Sequence, residues 1–132
     1  MTISFTTIGL WALRILAAVI MLQTLFFKFS AAEESVYIFS VLGMEPWGRI
    51  GTGIFELIAS LLILFPKTTH FGALLAIGLM GGAIFFHLAK LGIVVQGDGG
   101  QLFIYALLVF ISSVILLFAY RNEITGLIKK FI

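Results

Sequence analysis

The stretch GTGIFELIASLLILF, residues 51–65, places one carboxylate, Glu56, in the middle of an apolar run. With the residues just before it, the run is long enough to cross a bilayer as a helix. Glu56 then lies ~12 Å from either end of the span at helical rise. A glutamate side chain is too short to reach the headgroups from there, and an ionised carboxylate in hydrocarbon is costly. Glu56 must therefore face the inside of a helical bundle, paired or protonated.

The rest of the chain supplies that bundle. Of its 132 residues, 61% are hydrophobic and 11% charged, about half the charge of an ordinary soluble domain. So much apolar surface cannot be hidden inside a chain this small, and lipid is the natural solvent. There are no cysteines, which excludes disulfides, thiol redox chemistry, iron–sulfur clusters and thiolate metal sites. A net charge of +2 gives no footprint for nucleic acid.

Apolar segments run over residues 8–29, 48–65, 70–95 and 101–120. Each is continuous rather than alternating, as helices require and barrel strands do not. The links FPKTTH (65–70) and QGDGG (96–100) are short, so neighbouring spans are antiparallel. Pro66 should stop the second span, with Thr68 or Thr69 capping the third. Pro46 suits the first turn of the second span, and Trp47 a headgroup belt. SAAEESVYIFSVLGMEPWG, between the first two spans, is too apolar for a solvated loop and reads as a short interfacial helix. The expectation is an all-α membrane protein: one transmembrane domain over residues 1–132, a four-helix bundle running up-down-up-down. SAA at 30–32 fits a signal-peptide cleavage pattern, but Arg14 inside the run and Lys28 ahead of the site favour a retained first span.

Lys67, Arg121, Lys129 and Lys130 mark one membrane side; Lys28, Arg49 and Lys90 mark the other. The basic excess puts both termini in the cytoplasm, with a bacterial inner membrane as the expected location. On that reading Lys28, Arg49, His87, Lys90, Gln101 and Tyr105 fall in the outer half. Together they could line a cavity opening outwards, with Glu56 near its floor and the interfacial helix as a lid. Each also has a plainer reading as an interfacial residue reaching headgroups. Arg14, ~9 Å from the cytoplasmic edge, is the expected ion-pair partner of Glu56, which would lie ~5 Å higher. Helical spacing puts Arg49, Thr52, Glu56 and Ser60 on one face of the second span, and Met80, Ala83, His87 and Lys90 on one face of the third. Gly78 and Gly82 have GxxxG spacing on another face, for packing within the bundle or in a homo-oligomer. His70 and His87 sit ~25 Å apart and cannot share a metal; the chain carries no ligand set for one, and a single-histidine haem has no support.

LRILAAVIMLQTLFFKF with Arg14 and Lys28, LGMEPWGRIGTGIFELIASLLIL with Glu56, and GALLAIGLMGGAIFFHLAK with His87 together resemble the DoxX-like family of four-span membrane proteins, over roughly residues 10–120. The resemblance implies the architecture. It also implies membership of a membrane redox complex, since the family is named for a subunit linked to quinol oxidase and thiosulfate:quinone oxidoreductase activity. Related four-span proteins act as assembly factors or ligand receptors. Some four-span redox proteins pass electrons through cysteine pairs, a route closed to this chain.

Three functions are compatible with these residues. The first is an accessory, non-catalytic subunit binding a quinone or other lipophilic ligand, without a covalent cofactor, through Arg14, Glu56 and His87, beside a redox partner protein. The second is an assembly or interaction factor with no chemistry of its own. A transporter is weaker, because four spans and one buried acid make a thin pathway.

Overall fold

The computed structural model describes residues 5–121. Lys129 and Lys130, counted in the orientation argument, lie outside the described residues. The described chain is helical: α1 (Phe5–Phe29), α2 (Glu33–Val41), α3 (Trp47–Leu64), α4 (Thr69–Phe86) continuing into a π turn (His87–Leu91), and α5 (Gln101–Ala119). Four helices are long and apolar enough to cross a membrane: α1, α3, α4 with its π turn, and α5. The short α2 stands where an interfacial helix is expected. Its end of the bundle is called the α2 end below; the other is the terminal end.

The long helices form a ring. α1 packs on α3, α3 on α4, α4 on α5, and α5 on α1. The core concentrates small and medium side chains, among them Ala17, Ala59, Ile63, Ala73, Ala76 and Leu116, all fully buried. Small residues allow the close backbone approach that drives helix association in lipid. The glycine at the closest approach is Gly72. A Cβ there would lie 2.6 Å from the backbone N of Ile63 and 2.8 Å from the carbonyl of Ala59. Gly78 and Gly82 do not have the expected packing role within the chain: no atom lies within 4 Å of a Cβ built on either.

Pro46 stands just before α3 rather than inside its first turn. Thr68 and Thr69 do not cap α4 through their side chains, as expected, but turn back on α3. Thr68 Oγ1 donates to the Leu62 carbonyl at 2.8 Å, and Thr69 Oγ1 lies 3.0 Å from Ile63 O and 2.8 Å from Phe65 O. The last carbonyls of α3 have no partner within their own helix, so nearby hydroxyls go to them. The third span ends earlier than residue 95, because Gly92 turns the chain at φ +80° after the π turn, a conformation glycine adopts readily. The Gly92 N–H closes that turn on the His87 carbonyl at 2.7 Å.

Candidate functional site: a cavity at the α2 end

A cavity of ≈ 470 Å³ opens inside the α2 half of the bundle. α1 contributes Met21, Gln23, Thr24 and Lys28; α3 contributes Thr52 and Glu56; α4 and its π turn contribute Met80, Ala83 and His87; α5 contributes Gln101 and Tyr105. α2 roofs it with Glu34, Ser35, Ile38 and Phe39. The walls are otherwise apolar.

Glu56 is buried, and its partner is Lys28, not Arg14. Lys28 Nζ lies 2.8 Å from Glu56 Oε1, with the two side chains 15% and 2% exposed. Thr24 Oγ1 lies 2.7 Å from Glu56 Oε2 and 3.0 Å from the Met21 carbonyl. Its one proton favours the charged and nearer acceptor. The expected Arg14–Glu56 pair fails on level and on competition. Arg14 stands level with the last turn of α3, donating from Nε to Ile63 O at 2.8 Å and from Nη2 to Leu64 O at 2.5 Å. Its guanidinium also stacks over Trp11, 3.7 Å from the ring centroid. That puts it seven residues along α3 from Glu56, about 10 Å. Unpaired carbonyls at a helix C-terminus, the negative end of its dipole, suit a guanidinium well. Lys28 lies seven residues beyond Met21 on the same face of α1 and reaches back to the carboxylate from the other side.

Arg49 is buried but does not line the cavity. Its Nε meets Glu45 Oε1 at 2.8 Å and Oε2 at 3.0 Å, and its Nη1 donates to the Lys28 carbonyl. It fixes the end of α1 that carries Lys28. Ser60 donates to the Glu56 carbonyl at 2.7 Å. Lys90 is exposed and also outside the lining, because the wider π turn carries it off the face of Met80, Ala83 and His87. Of the expected site residues, Lys28, Glu56, His87, Gln101 and Tyr105 share the cavity; Arg14, Arg49 and Lys90 do not.

Hydrogen-bonding capacity on the far wall is specific. His87 is 5% exposed and edge-on to Phe103. Its Nδ1 is 2.9 Å from the Gly92 carbonyl. A carbonyl can only accept, so Nδ1 carries the proton and Nε2 is left as an acceptor in the neutral ring. Gln101 Nε2 donates to Tyr105 OH at 2.8 Å, which leaves the Tyr105 proton to donate. The wall therefore offers one acceptor and one donor.

At the rim, Asp98 Oδ1 accepts from the backbone N–H of Val95 (3.0 Å) and Gly100 (2.8 Å), and Oδ2 from Leu102 (3.3 Å). Burial alone would push its carboxyl upward; these three donors, with His87 nearby, outweigh it and hold Asp98 below the usual aspartate value. Glu34 moves the other way. Burial raises its carboxyl, and the charge of Asp98 and a hydrogen bond with it add to the rise. Gln23, Thr24 and Glu34 are lining residues that sequence reasoning left out, and Thr52, placed on the Glu56 face, was not counted with the cavity. The i, i+4 relation of Thr24 to Lys28 on the Glu56-facing side of α1 was the available signal.

His70 is buried at the terminal end, with neither ring nitrogen hydrogen-bonded among the described residues. Among the described residues, no group of three or more His, Asp or Glu is placed to hold a metal ion.

Four membrane-length helices in a ring, a roofing α2 and a buried acid define a small polytopic membrane protein with an internal cavity. Residues 12–115 match the model of the DoxX-like family, and the chain belongs to that family. No match was found among curated proteins or solved structures.

Proposed function

We propose that this protein is an accessory, non-catalytic subunit of a membrane redox complex, and that the cavity beneath α2 binds a quinone or similar lipophilic molecule. The cavity carries the reading. Its ≈ 470 Å³ lies within the range of small-molecule sites, and apolar walls with a few fixed polar groups are the usual composition of such sites. A quinone needs hydrogen bonds at its carbonyls: the Tyr105 hydroxyl supplies a donor, and His87 Nε2 accepts from the reduced hydroxyl form. Lys28 and Glu56 neutralise each other, so an uncharged head seated beside them meets balanced charge. The chain has no cysteine, and the electrons come from a partner protein in this scheme.

The test is a titration of purified protein in nanodiscs with decyl-benzoquinone. Saturable binding is expected, weakened about tenfold by Tyr105→Phe; with the reduced hydroxyl form as ligand, His87→Phe should weaken binding to the same extent, each through loss of one hydrogen bond. Absence of saturable binding, or binding indifferent to both substitutions, would overturn the reading in favour of an assembly factor.

A further inference from the structure

Resting on that ligand-binding reading, we propose that the ligand enters sideways from the bilayer, through a gap between α3 and α4 beside Gly82. It is an amphiphile with an uncharged, hydrogen-bonding head and a tail that stays in lipid.

The directions around α4 carry the argument. A Cβ at Gly72 would meet Ile63 and Ala59 of α3, and one at Gly81 would meet Phe110 of α5 at 3.6 Å. Nine residues separate them, about half a turn around the axis, so α3 and α5 flank opposite sides of α4. Of the two remaining faces, one carries buried Ala73, Ala76 and Met80 and points into the bundle. The other carries Gly78 and Gly82, where a Cβ meets nothing within 4 Å; it points to lipid. The cavity wall includes both faces. It passes from Met80 and His87 to Gly82 and Gly78 by way of Ala83, Leu79 and Phe86, which helical spacing puts in the α3-facing sector. The cavity therefore rounds α4 on its α3 side and reaches lipid.

The helices have a reason to part there. The short turn at the terminal end and the Gly72 approach hold α3 and α4 together low in the bundle. In the α2 half, α3 offers the cavity only Thr52 and Glu56. Glycine at 78 and 82 leaves a passage that larger side chains would fill. The direct route from water is roofed by α2. Inside, His87 is 5% exposed and its Nε2 has no hydrogen-bond partner among the described residues, so a polar group waits at the end of the route. The Lys28–Glu56 pair is internally balanced and offers an ionic head no net charge.

Entry and release of decyl-benzoquinone test this, measured in nanodiscs by transfer to and from excess empty vesicles. Gly82→Phe should slow both about tenfold, since a narrowed passage slows entry and release alike whereas a damaged site speeds release. Gly9→Phe, also in open space but on α1, should change neither. Should Gly82→Phe not fold, Gly82→Cys in this cysteine-free chain, loaded after folding with a bulky methanethiosulfonate, should give the same slowing. Wild-type rates with intact binding would overturn the side entrance and leave the binding reading standing, as would a weaker Kd without slower rates. No saturable binding to the wild type would overturn both.

Discussion

Lys28 and Glu56 hold each other at 2.8 Å across α1 and α3, at the floor of the cavity. Thr24 meets the second carboxylate oxygen, so the acid is satisfied on both sides. Removing one member of such a pair strands the other in a dry site, whereas removing both costs less. Lys28→Met should destabilise the protein by about 3 kcal/mol, and Lys28→Met/Glu56→Gln by clearly less. Reversible unfolding in mixed detergent checks this. Equal loss in the single and double variants would show that the pair is not the main effect.

Arg14 acts at the other end of the bundle, on the carbonyls of Ile63 and Leu64. Arg14→Met should lower stability by about 2 kcal/mol, the scale of charge-assisted hydrogen bonds left unmade. It should leave quinone affinity unchanged, because Arg14 does not touch the cavity. A parallel loss of binding and stability in correctly folded protein would contradict this separation.

Gly72 and Gly78 should respond oppositely to alanine. At Gly72 the new methyl meets backbone that cannot move away, and overpacking of that kind costs about 1–3 kcal/mol or more. At Gly78 it meets nothing, and helix propensity alone would favour alanine by up to about 1 kcal/mol. Thermal melts of the two variants distinguish them directly.

The contact between α2 and the loop before α5 should depend on pH. Glu34 is raised in the folded protein by burial and by Asp98, so its contribution to stability is present below the ordinary glutamate range. It is lost as pH rises through the raised value. Asp98 is lowered, burial being outweighed by its backbone donors. Its contribution is present above the ordinary aspartate range and lost as pH falls through the lowered value. The roof is therefore best held at mildly acid pH. The gap in Tm between Glu34→Gln and wild type should be small in acid and widen as pH rises. A constant gap would mean that Glu34 does not titrate in this window.

The spans were legible because hydropathy and length in lipid leave little choice. The cavity was partly legible: Lys28, Glu56, His87, Gln101 and Tyr105 share depth and helical faces. Two matters were hidden. The partner of Glu56 turned on competition, since α3's own carbonyls claim Arg14, and sequence spacing does not rank acceptors. Lys90 leaves its face because His87–Leu91 winds as a π turn, which a fixed helical period does not anticipate. The GxxxG reading failed within the chain for a related reason: spacing marks small residues but does not say whether a helix of the same bundle or an open space lies opposite.

Among the described residues, the internal cavity lies in the α2 half, while Ala59, Ile63, Ala73 and Leu116 are packed without exposed surface in the terminal half. In a bilayer those halves sit in different leaflets. Lateral compression of one leaflet then works against a void and that of the other against close-packed side chains. Asymmetric tension, or curvature that crowds one monolayer, should act on this protein through one leaflet alone.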